Sequence, residues 1–316
     1  MSSSASAVTV LTPVYNGEQF LAECIKSVLD QTYADWQYLV YDNQSTDRTP
    51  DIVREFAAKD SRIKHMRPDE FVDMYANHNR AIAGMPSGTR YCKFVHADDL
   101  LYPECLERMV NLAEAYPNVG VVGAFRLSGT RVELDAPFPL GQSAMPGKEA
   151  IRRELLHMGW VTGSPSNVLF RAELLRRIPV PFDSRIWHAD TETCYRVLLE
   201  SDLGFEHQIL SYTRVHPGAA TPFSNTVYSY LSRDGLMLLR YGPSVLSPGE
   251  YRSNLWRWVR KYGRWLARQL VLDSARRNNP KFHEFHRGEI DLLVAEARSE
   301  PLVRAVLRGY RRLLRS

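Results

Sequence analysis

The strongest constraint on the fold lies between Val8 and Phe125, where short apolar, β-branched runs alternate with segments of helical period. Val8 to Pro13 reads as a strand stopped by proline, Tyr15-Asn16-Gly17 as a turn, and Leu21, Cys24, Ile25, Val28 and Leu29 recur at helical spacing. The pattern repeats with a strand over Trp36 to Tyr41, then a helix opened by Thr49-Pro50 whose apolar face is Ile52, Val53 and Phe56. A weaker strand over Arg62 to Met66 precedes a helix from Met74 to Gly84. The run from Tyr91 to Asp99, a helix from Pro103, and Val119 to Phe125 complete the series. Strands alternating with helices predict an α/β fold with a doubly wound, mostly parallel sheet.

Past Arg126 the rhythm breaks. The spacing predicts a Pro/Gly-rich loop over Ala136 to Gly147, a helix over Lys148 to His157 and a strand over Ser166 to Arg171. A loop from Phe182 to Ala189, a helix from Asp190 to Glu200 and a strand from Phe205 to Val215 follow. Beyond Pro217 the signals are helical, which places a sheet domain over residues 1–221 and a helical region over 222–316. The chain is 44% hydrophobic and 24% charged, an ordinary globular balance. No apolar run reaches the roughly 20 residues that span a bilayer, and the polar Met1 to Ser6 does not read as a secretory signal. Cys24, Cys92, Cys105 and Cys194 are scattered, as expected of buried, reduced thiols in a cytosolic protein. Charge is uneven. From Tyr251 onward sixteen Lys/Arg face six Asp/Glu, so the preceding body is net −6 within a total of +4. The basic end therefore seeks an anionic partner, and the body does not.

The polar residues gather at strand ends: Pro13-Val14-Tyr15-Asn16, Asp42-Asn43, His96-Ala97-Asp98-Asp99 and His216. In an open α/β sheet that rim is where ligands bind. The P-loop and the G-x-G-x-x-G fingerprint are both missing, so no glycine loop cradles phosphates. Two adjacent carboxylates ending an apolar strand repel each other and call for a cation, and a carboxylate-held divalent metal carrying a diphosphate meets that need. Helix capping ahead of Pro103 is the other reading of Asp98 and Asp99.

These residues, taken in order, carry a family resemblance. The stretch from about Val8 to Thr221 resembles the family 2 glycosyltransferases of GT-A fold, nucleotide-sugar-dependent and mostly inverting. The resemblance rests on Thr12-Pro13-Val14-Tyr15-Asn16, Asp42-Asn43-Gln44-Ser45-Thr46-Asp47-Arg48-Thr49, Asn79-Arg80-Ala81-Ile82, Ala97-Asp98-Asp99 with Pro103, Asp190 with Arg196, and Tyr212-Thr213-Arg214-Val215-His216-Pro217. It implies a GT-A type sheet whose nucleotide-sugar half covers about 8–125 and whose acceptor half covers about 126–221. Pro13, Tyr15 and Glu18 are implied to line the nucleoside pocket. Asp42 is implied to accept a hydrogen bond from the base, which suits the N–H of uracil or thymine. Asn79 and His96 are placed with the donor contacts. Asp98, the third position of the D-x-D motif, is implied to bind Mg²⁺ or Mn²⁺, with His216 a further metal or phosphate contact. Asp190 is implied to be the general base that deprotonates the acceptor hydroxyl, and Arg196 a structural partner of its helix. The chain departs from the pattern at His96, where the family has the first aspartate of D-x-D; an imidazole can still hydrogen-bond or ligate there.

The expected reaction is inverting transfer of a sugar from a UDP- or dTDP-sugar to a hydroxyl of a glycan or lipid-linked acceptor. The resemblance places it in polysaccharide or glycan assembly, in the cytoplasm or peripherally on the inner face of the cell membrane. A silent sugar-nucleotide-binding relative is the alternative that His96 raises. A sugar-nucleotidyltransferase would want a glycine-rich, basic first loop, which Val14 to Glu18 lacks. For Asp190 the plain alternative is a carboxylate favoured by the helix dipole, with Glu192 near enough to compete as base. Trp160 or Trp187 could stack on a sugar face or serve the core. Leu255, Trp258, Val259, Tyr262, Trp265, Leu266 and Leu270 form one helical face, for which packing on its own domain or in self-association is favoured over lipid. The last helix, Leu302 to Leu314 with Arg304, Arg308, Arg311, Arg312 and Arg315, is the better match to an anionic membrane surface. No nucleic-acid motif accompanies these charges, so nucleic acid is not expected as a partner.

Overall fold

The computed structural model describes residues 6–133, 138–157 and 164–314. Among the described residues, ten strands and seven helices belong to the sheet region. In chain order they are β1 (Val8–Val14), α1 (Leu21–Leu29), β2 (Trp36–Asp42), α2 (Thr49–Lys59), β3 (Ile63–Met66), α3 (Met74–Ala83), β4 (Tyr91–Phe94), β5 (Leu100–Leu101), α4 (Cys105–Ala115) and β6 (Val119–Ser128). There follow β7 (Arg131–Glu133), β8 (Ala144–Pro146), α5 (Gly147–Leu155), β9 (Val168–Arg171), α6 (Ala172–Arg176), α7 (Ala189–Leu198) and β10 (Asp202–Thr213). One sheet carries all ten strands in the order β3-β2-β1-β4-β9-β6-β10-β5, with β7 beside β6 and β8 beside β10.

The first four strands are parallel: β1 lies between β2 and β4, with Val14 opposite Asp42 and Leu11 opposite Phe94, and β3 flanks β2. This register brings the carboxyl ends of three parallel strands to one rim. β9 then reverses the direction, running antiparallel to both β4 and β6, while β6 and β10 are parallel. The sheet is therefore mixed, with its long pairs parallel. The loop expected over Ala136 to Gly147 instead ends in β8, which pairs antiparallel with β10; residues 134–137 lie outside the described ones.

The core sits where the sheet meets α1 and α4. Leu21, Cys24, Ile25 and Val28 pack with Val8, Val10, Val14 and Val40, and Leu106, Met109, Val110 and Ala113 join the same cluster. Each such side chain contributes roughly 1.5–3 kcal/mol of burial. A fully buried lysine sits inside this layer. The Lys93 ammonium on β4 is 0% exposed and donates to the carbonyls of Ser166 (2.8 Å) and Val168 (3.3 Å). Those two bonds tie the 3₁₀ turn Pro165–Asn167, at the entry to β9, onto β4. Burial lowers the lysine's pKa, as expected when few groups replace water around an ammonium.

The chain divides into two compact units, one built from the chain up to Glu154 and the stretch ending at Val215, the other from His216 onward with Leu155–His157. The second unit is helical: α8 (Ala220–Val227), α9 (Tyr230–Val245), α10 (Pro248–Leu272), α11 (Ser274–Arg277), α12 (Pro280–Glu296) and α13 (Pro301–Leu313). Ser247 and Glu250 form a capping box that opens α10. The aromatic face of α10 is buried as expected: Trp258 and Tyr262 stack, and the indole of Trp258 donates to the Leu231 carbonyl at 2.7 Å. Among the described residues, no helix is long and apolar enough to cross a membrane.

Candidate active site

Two turns at the ends of β1 and β2 build the first wall of the site. Each turns sharply through a left-handed non-glycine residue, Asn16 (φ 51°) and Gln44 (φ 61°). Such residues concentrate where the surrounding structure holds them in place. Here the holding groups are hydrogen bonds between the two turns. Asn16 Oδ1 accepts from the Thr46 N–H (2.9 Å), Asn16 N–H donates to Ser45 Oγ (2.9 Å) and Gly17 N–H donates to Thr49 Oγ1 (2.8 Å). Glu18 joins them, its carboxylate accepting from the Arg48 N–H at the start of α2 (3.0 Å) while its own N–H donates to Asp47 (3.0 Å). Glu18 thus sits at the lip of the turn. Tyr15 is 50% exposed, and its ring meets Phe71 edge-to-face at 5.0 Å. Phe71 was not anticipated from the sequence, and its exposure beside Tyr15 makes the pair an open aromatic surface.

Asp42 closes β2 and is 0% exposed. Its Oδ1 accepts from the Ser45 N–H (2.8 Å), and its Oδ2 from His65 Nε2 (3.2 Å) and the Arg67 guanidinium. Burial by itself would raise the carboxyl pKa. The hydrogen bonds from His65, Ser45 and Arg67 outweigh it, so the group is held well below the usual carboxylate range. His65 and Arg67, one at each end of a three-residue span closing β3, are partners that spacing alone could not assign.

The second wall is the end of β4. The ligand atoms of His96, Asp98 and Asp99 all lie within 4.8 Å of one another, a group able to hold a metal ion. The turn is fixed from several sides. His96 N–H donates to Ser166 Oγ (2.9 Å), and the His96 carbonyl accepts from Cys24 Sγ (3.3 Å) and the Asp99 N–H (3.0 Å). Arg214, at the end of β10, clamps the acidic pair: its Nε donates to the Asp98 carbonyl (3.0 Å) and its N–H to Asp99 Oδ1 (3.2 Å). The same guanidinium reaches Glu23 on α1 (2.7 Å) and lies 4.5 Å from the centre of the Phe20 ring. Burial pushes the Asp99 pKa up; His96 works against that shift and Asp98 with it. Helix capping does not explain the acids, because Leu100–Leu101 forms β5 and α4 starts only at Cys105 without a side-chain cap. His216 begins the second unit and is not a member of the group that His96, Asp98 and Asp99 form.

Between this turn and Asp190 lies an aromatic box. Tyr75 and His78, one turn apart on α3, surround Phe182 with Phe94: Tyr75 stacks on Phe182 at 5.9 Å, and His78 lies 5.1 Å from Phe182 and 5.5 Å from Phe94. His78 is 3% exposed, and burial pushes its imidazole down to about 3. Its Nε2 is 3.2 Å from Nε2 of His96. Burial raises the Tyr75 phenol, and the charge of Asp190 adds to the shift, so Tyr75 and Asp190 are neighbours. Asp190 sits in the first turn of α7, half-buried, its Oδ1 accepting from the Thr191 N–H at 2.8 Å. Glu192, the competing carboxylate, is buried beside Arg196 at 3.6 Å, and Arg196 also donates to the Val180 carbonyl (2.7 Å). That pair braces the helix. Asn79, expected among the donor contacts, instead commits both ends of its carboxamide to Phe182: Nδ2 donates to the carbonyl (2.7 Å) and Oδ1 accepts from the N–H (2.9 Å). It anchors the loop that carries Phe182. Pro13 lies within β1 opposite Tyr41, half-buried, one residue before the strand ends. Trp187 lends its carbonyl to the Tyr75 hydroxyl, and Trp160 lies outside the described residues.

The sequence that builds this rim, with a buried aspartate ending β2 and an acid-rich turn after β4, matches a known family model, Glycosyl transferase family 2, over residues 9–178. The chain belongs to that family. The match takes in Asp42, His96, Asp98 and Asp99 and stops short of Asp190. Among similar proteins, the Escherichia coli UDP-Glc:alpha-D-GlcNAc-diphosphoundecaprenol beta-1,3-glucosyltransferase WfgD is 36% identical over 105 residues, 33% of this chain and 40% of that one. The chain spans about half the length of other curated relatives that it matches, 51% and 54% of two from Bacillus subtilis. Among solved structures, Staphylococcus aureus TarS in complex with UDP-GlcNAc superposes with a TM-score of 0.68 at 16% identity, covering 97% of this chain and 90% of that one. The mannosyltransferase PcManGT of Pyrobaculum calidifontis, in complex with GDP-Man and Mn²⁺, gives 0.56 at 18% identity, covering 96% and 86%. The fold of this family 2 member is accordingly the GT-A glycosyltransferase fold, followed by a helical C-terminal region.

Proposed function

We propose that the chain transfers a sugar from a UDP- or dTDP-sugar to an acceptor hydroxyl, with inversion at the anomeric carbon and with Mg²⁺ or Mn²⁺. The observation that carries this reading is the meeting of His96, Asp98 and Asp99 at the end of β4, on the same rim as the Asp42 pocket. Two hard carboxylates and one imidazole fit a divalent ion, and Mn²⁺ tolerates the nitrogen better than Mg²⁺ does. When bound, that ion neutralises the charge developing on the departing diphosphate. Asp98 and Asp99, with the His96 imidazole, would hold it.

The chain's own groups supply the rest. The Tyr15–Phe71 surface offers a face for the base, and Asp42, ionised and held by Arg67, sets the polarity at the bottom of the pocket. Arg214 keeps the Asp98–Asp99 turn from swinging out when its charges repel. Asp190 accepts the proton of the attacking hydroxyl, a contribution on the order of 10²–10⁴ in rate. A single base suffices, because the diphosphate leaves without the carboxylic acid that a glycosidase needs. One similar protein is named for UDP-Glc and another is solved in complex with UDP-GlcNAc, which supports a uridine donor, and the diphosphoundecaprenol in one name supports a lipid-linked acceptor. A lipid-linked acceptor would place the enzyme peripherally on the inner face of the membrane. α13 suits that surface, since Leu302 and Leu313 are exposed on a helix that also carries Arg304, Arg308, Arg311 and Arg312.

Nucleotide release, followed with UDP-, dTDP- and GDP-sugars in the presence of Mn²⁺ or Mg²⁺, tests the reading. Release and binding confined to uridine or thymidine donors are expected, and GDP-sugar turnover alone would overturn the donor assignment. In the same assay Asp190→Asn should abolish transfer while leaving nucleotide affinity nearly intact.

A further inference from the structure

The pairing of His78 with His96 reaches beyond the roles derived so far. His78 Nδ1 is 2.8 Å from the carbonyl of Met74, which can only accept, so Nδ1 carries the proton. Its ring is neutral because burial among Tyr75, Phe94 and Phe182 outweighs the favourable charge of Asp73. Nε2 of His78 is therefore a lone pair. It faces Nε2 of His96 at 3.2 Å, a distance that two lone pairs would not hold, so His96 bears its proton on Nε2. The reverse arrangement would set a bare Nδ1 of His78 against the Met74 carbonyl.

We propose that His78 is a positioning residue that locks His96 in its Nε2–H tautomer, leaving Nδ1 as the nitrogen with which His96 joins Asp98 and Asp99. The aspartate usual at this position in the family brings two equivalent oxygens; an imidazole brings one usable lone pair, and which nitrogen bears it must be fixed from outside. Ligating histidines are commonly held this way by their other nitrogen, and losing the partner costs about 10–100-fold in metal affinity. Here the partner is itself an imidazole, oriented by a helix carbonyl one turn earlier on α3. The backbone that carries the His96 ring is itself held by Ser166 and Cys24. The use of Nδ1 on a metal ion rests on the function proposed above; the tautomer itself does not.

The test is long-range ¹⁵N–¹H correlation of the histidine rings in the full chain without metal, with His96 assigned through His96→Gln. We expect His96 protonated at Nε2 and bare at Nδ1. His78→Gln, whose side-chain oxygen can still accept, should keep that signature. His78→Phe, which fills the aromatic box without an acceptor, should give a mixture of tautomers and weaken Mn²⁺ binding, read by electron paramagnetic resonance titration, about 10–100-fold. A wild-type His96 protonated at Nδ1 overturns the proposal, as does a His78→Phe protein with unchanged tautomer and Mn²⁺ affinity. The wild-type spectrum decides alone if that variant does not fold. A wild-type chain with the expected tautomer that binds no Mn²⁺ upholds the positioning and overturns the metal reading instead.

Discussion

Asp42→Asn isolates the electrostatics of the buried carboxylate at the end of β2, because it keeps the shape and removes the charge. In the wild type Oδ1 accepts from the Ser45 N–H, and Oδ2 faces two donors, His65 and Arg67. The asparagine oxygen can keep only one of these sides. Placed toward Ser45, it turns its NH₂ onto His65 and Arg67, donor against donor. Hydrogen bonds to a charged group are worth roughly 1.5–3 kcal/mol, and breaking a buried pair costs more. Arg67 retains water, its side chain being 32% exposed, so the loss is discounted to about 2–3 kcal/mol at pH 7. For a unit of this size that corresponds to a fall in Tm of about 5–10 °C. The pH dependence gives a sharper check. The folded-state pKa of Asp42 is depressed, so its contribution is fully present above the unfolded value near 3.9 and disappears as pH falls through the folded one. Thermal and urea melts of both proteins between pH 7 and 3 should show a gap that narrows below about pH 4. A gap under about 0.5 kcal/mol at pH 7, or one that does not narrow in acid, would refute the reasoning.

Three further outcomes are expected. Arg214→Met frees the Asp98 carbonyl and leaves the acidic turn only the backbone N–H half of its clamp, so Mn²⁺ affinity measured by calorimetry should fall about tenfold, with stability lowered by roughly 1–2 kcal/mol. Gly84→Ala would put a Cβ 1.5 Å from the Tyr41 hydroxyl oxygen and 2.8 Å from its Cζ, so α3 or the buried tyrosine must shift, and urea melts should show a loss of about 1–3 kcal/mol. Arg308→Glu with Arg312→Glu should weaken sedimentation with anionic vesicles about thirtyfold, taking roughly 1 kcal/mol per basic residue at the surface, and unchanged binding would remove α13 as the lipid contact.

Much of the parallel half was readable from periodicity, because β1, β2 and β4 are buried strands separated by helices with clear apolar faces. The direction of β9 was not, since a four-residue apolar run carries no sign of which way it enters a sheet. β8 was hidden in a Pro- and Gly-rich stretch whose only structural signal is the partner strand β10. In the site, Asp42, Asp98 and Asp190 were visible as acids at element ends. His65 and Arg67 were not visible as partners, because the contact runs 23 and 25 residues along the chain to an adjacent strand end. The hold of Asn79 on Phe182 was hidden for the same reason, the two lying 103 residues apart. His78 showed only as one residue of a helix. The histidine at position 96, where the family has aspartate, was the signal that a second ring nearby was worth seeking.

The late strand β9 has a consequence for how the molecule is made. It fills the slot between β4 and β6, and its entry turn supplies the Ser166 hydroxyl that holds His96 in place. While the chain is being synthesised, Tyr91–Phe94 and Val119–Ser128 leave the ribosome well before Val168–Arg171 does. At about 5–20 residues per second, the stretch from Ser128 to Arg171 takes on the order of 2–9 s, during which two apolar strand edges have no partner. A fragment ending near Phe125 would keep the Asp42 pocket but never complete the acidic turn. The ends of β2 and β4 are already neighbours across β1, but the acidic turn gains the hydroxyl that holds His96 only when this short strand arrives.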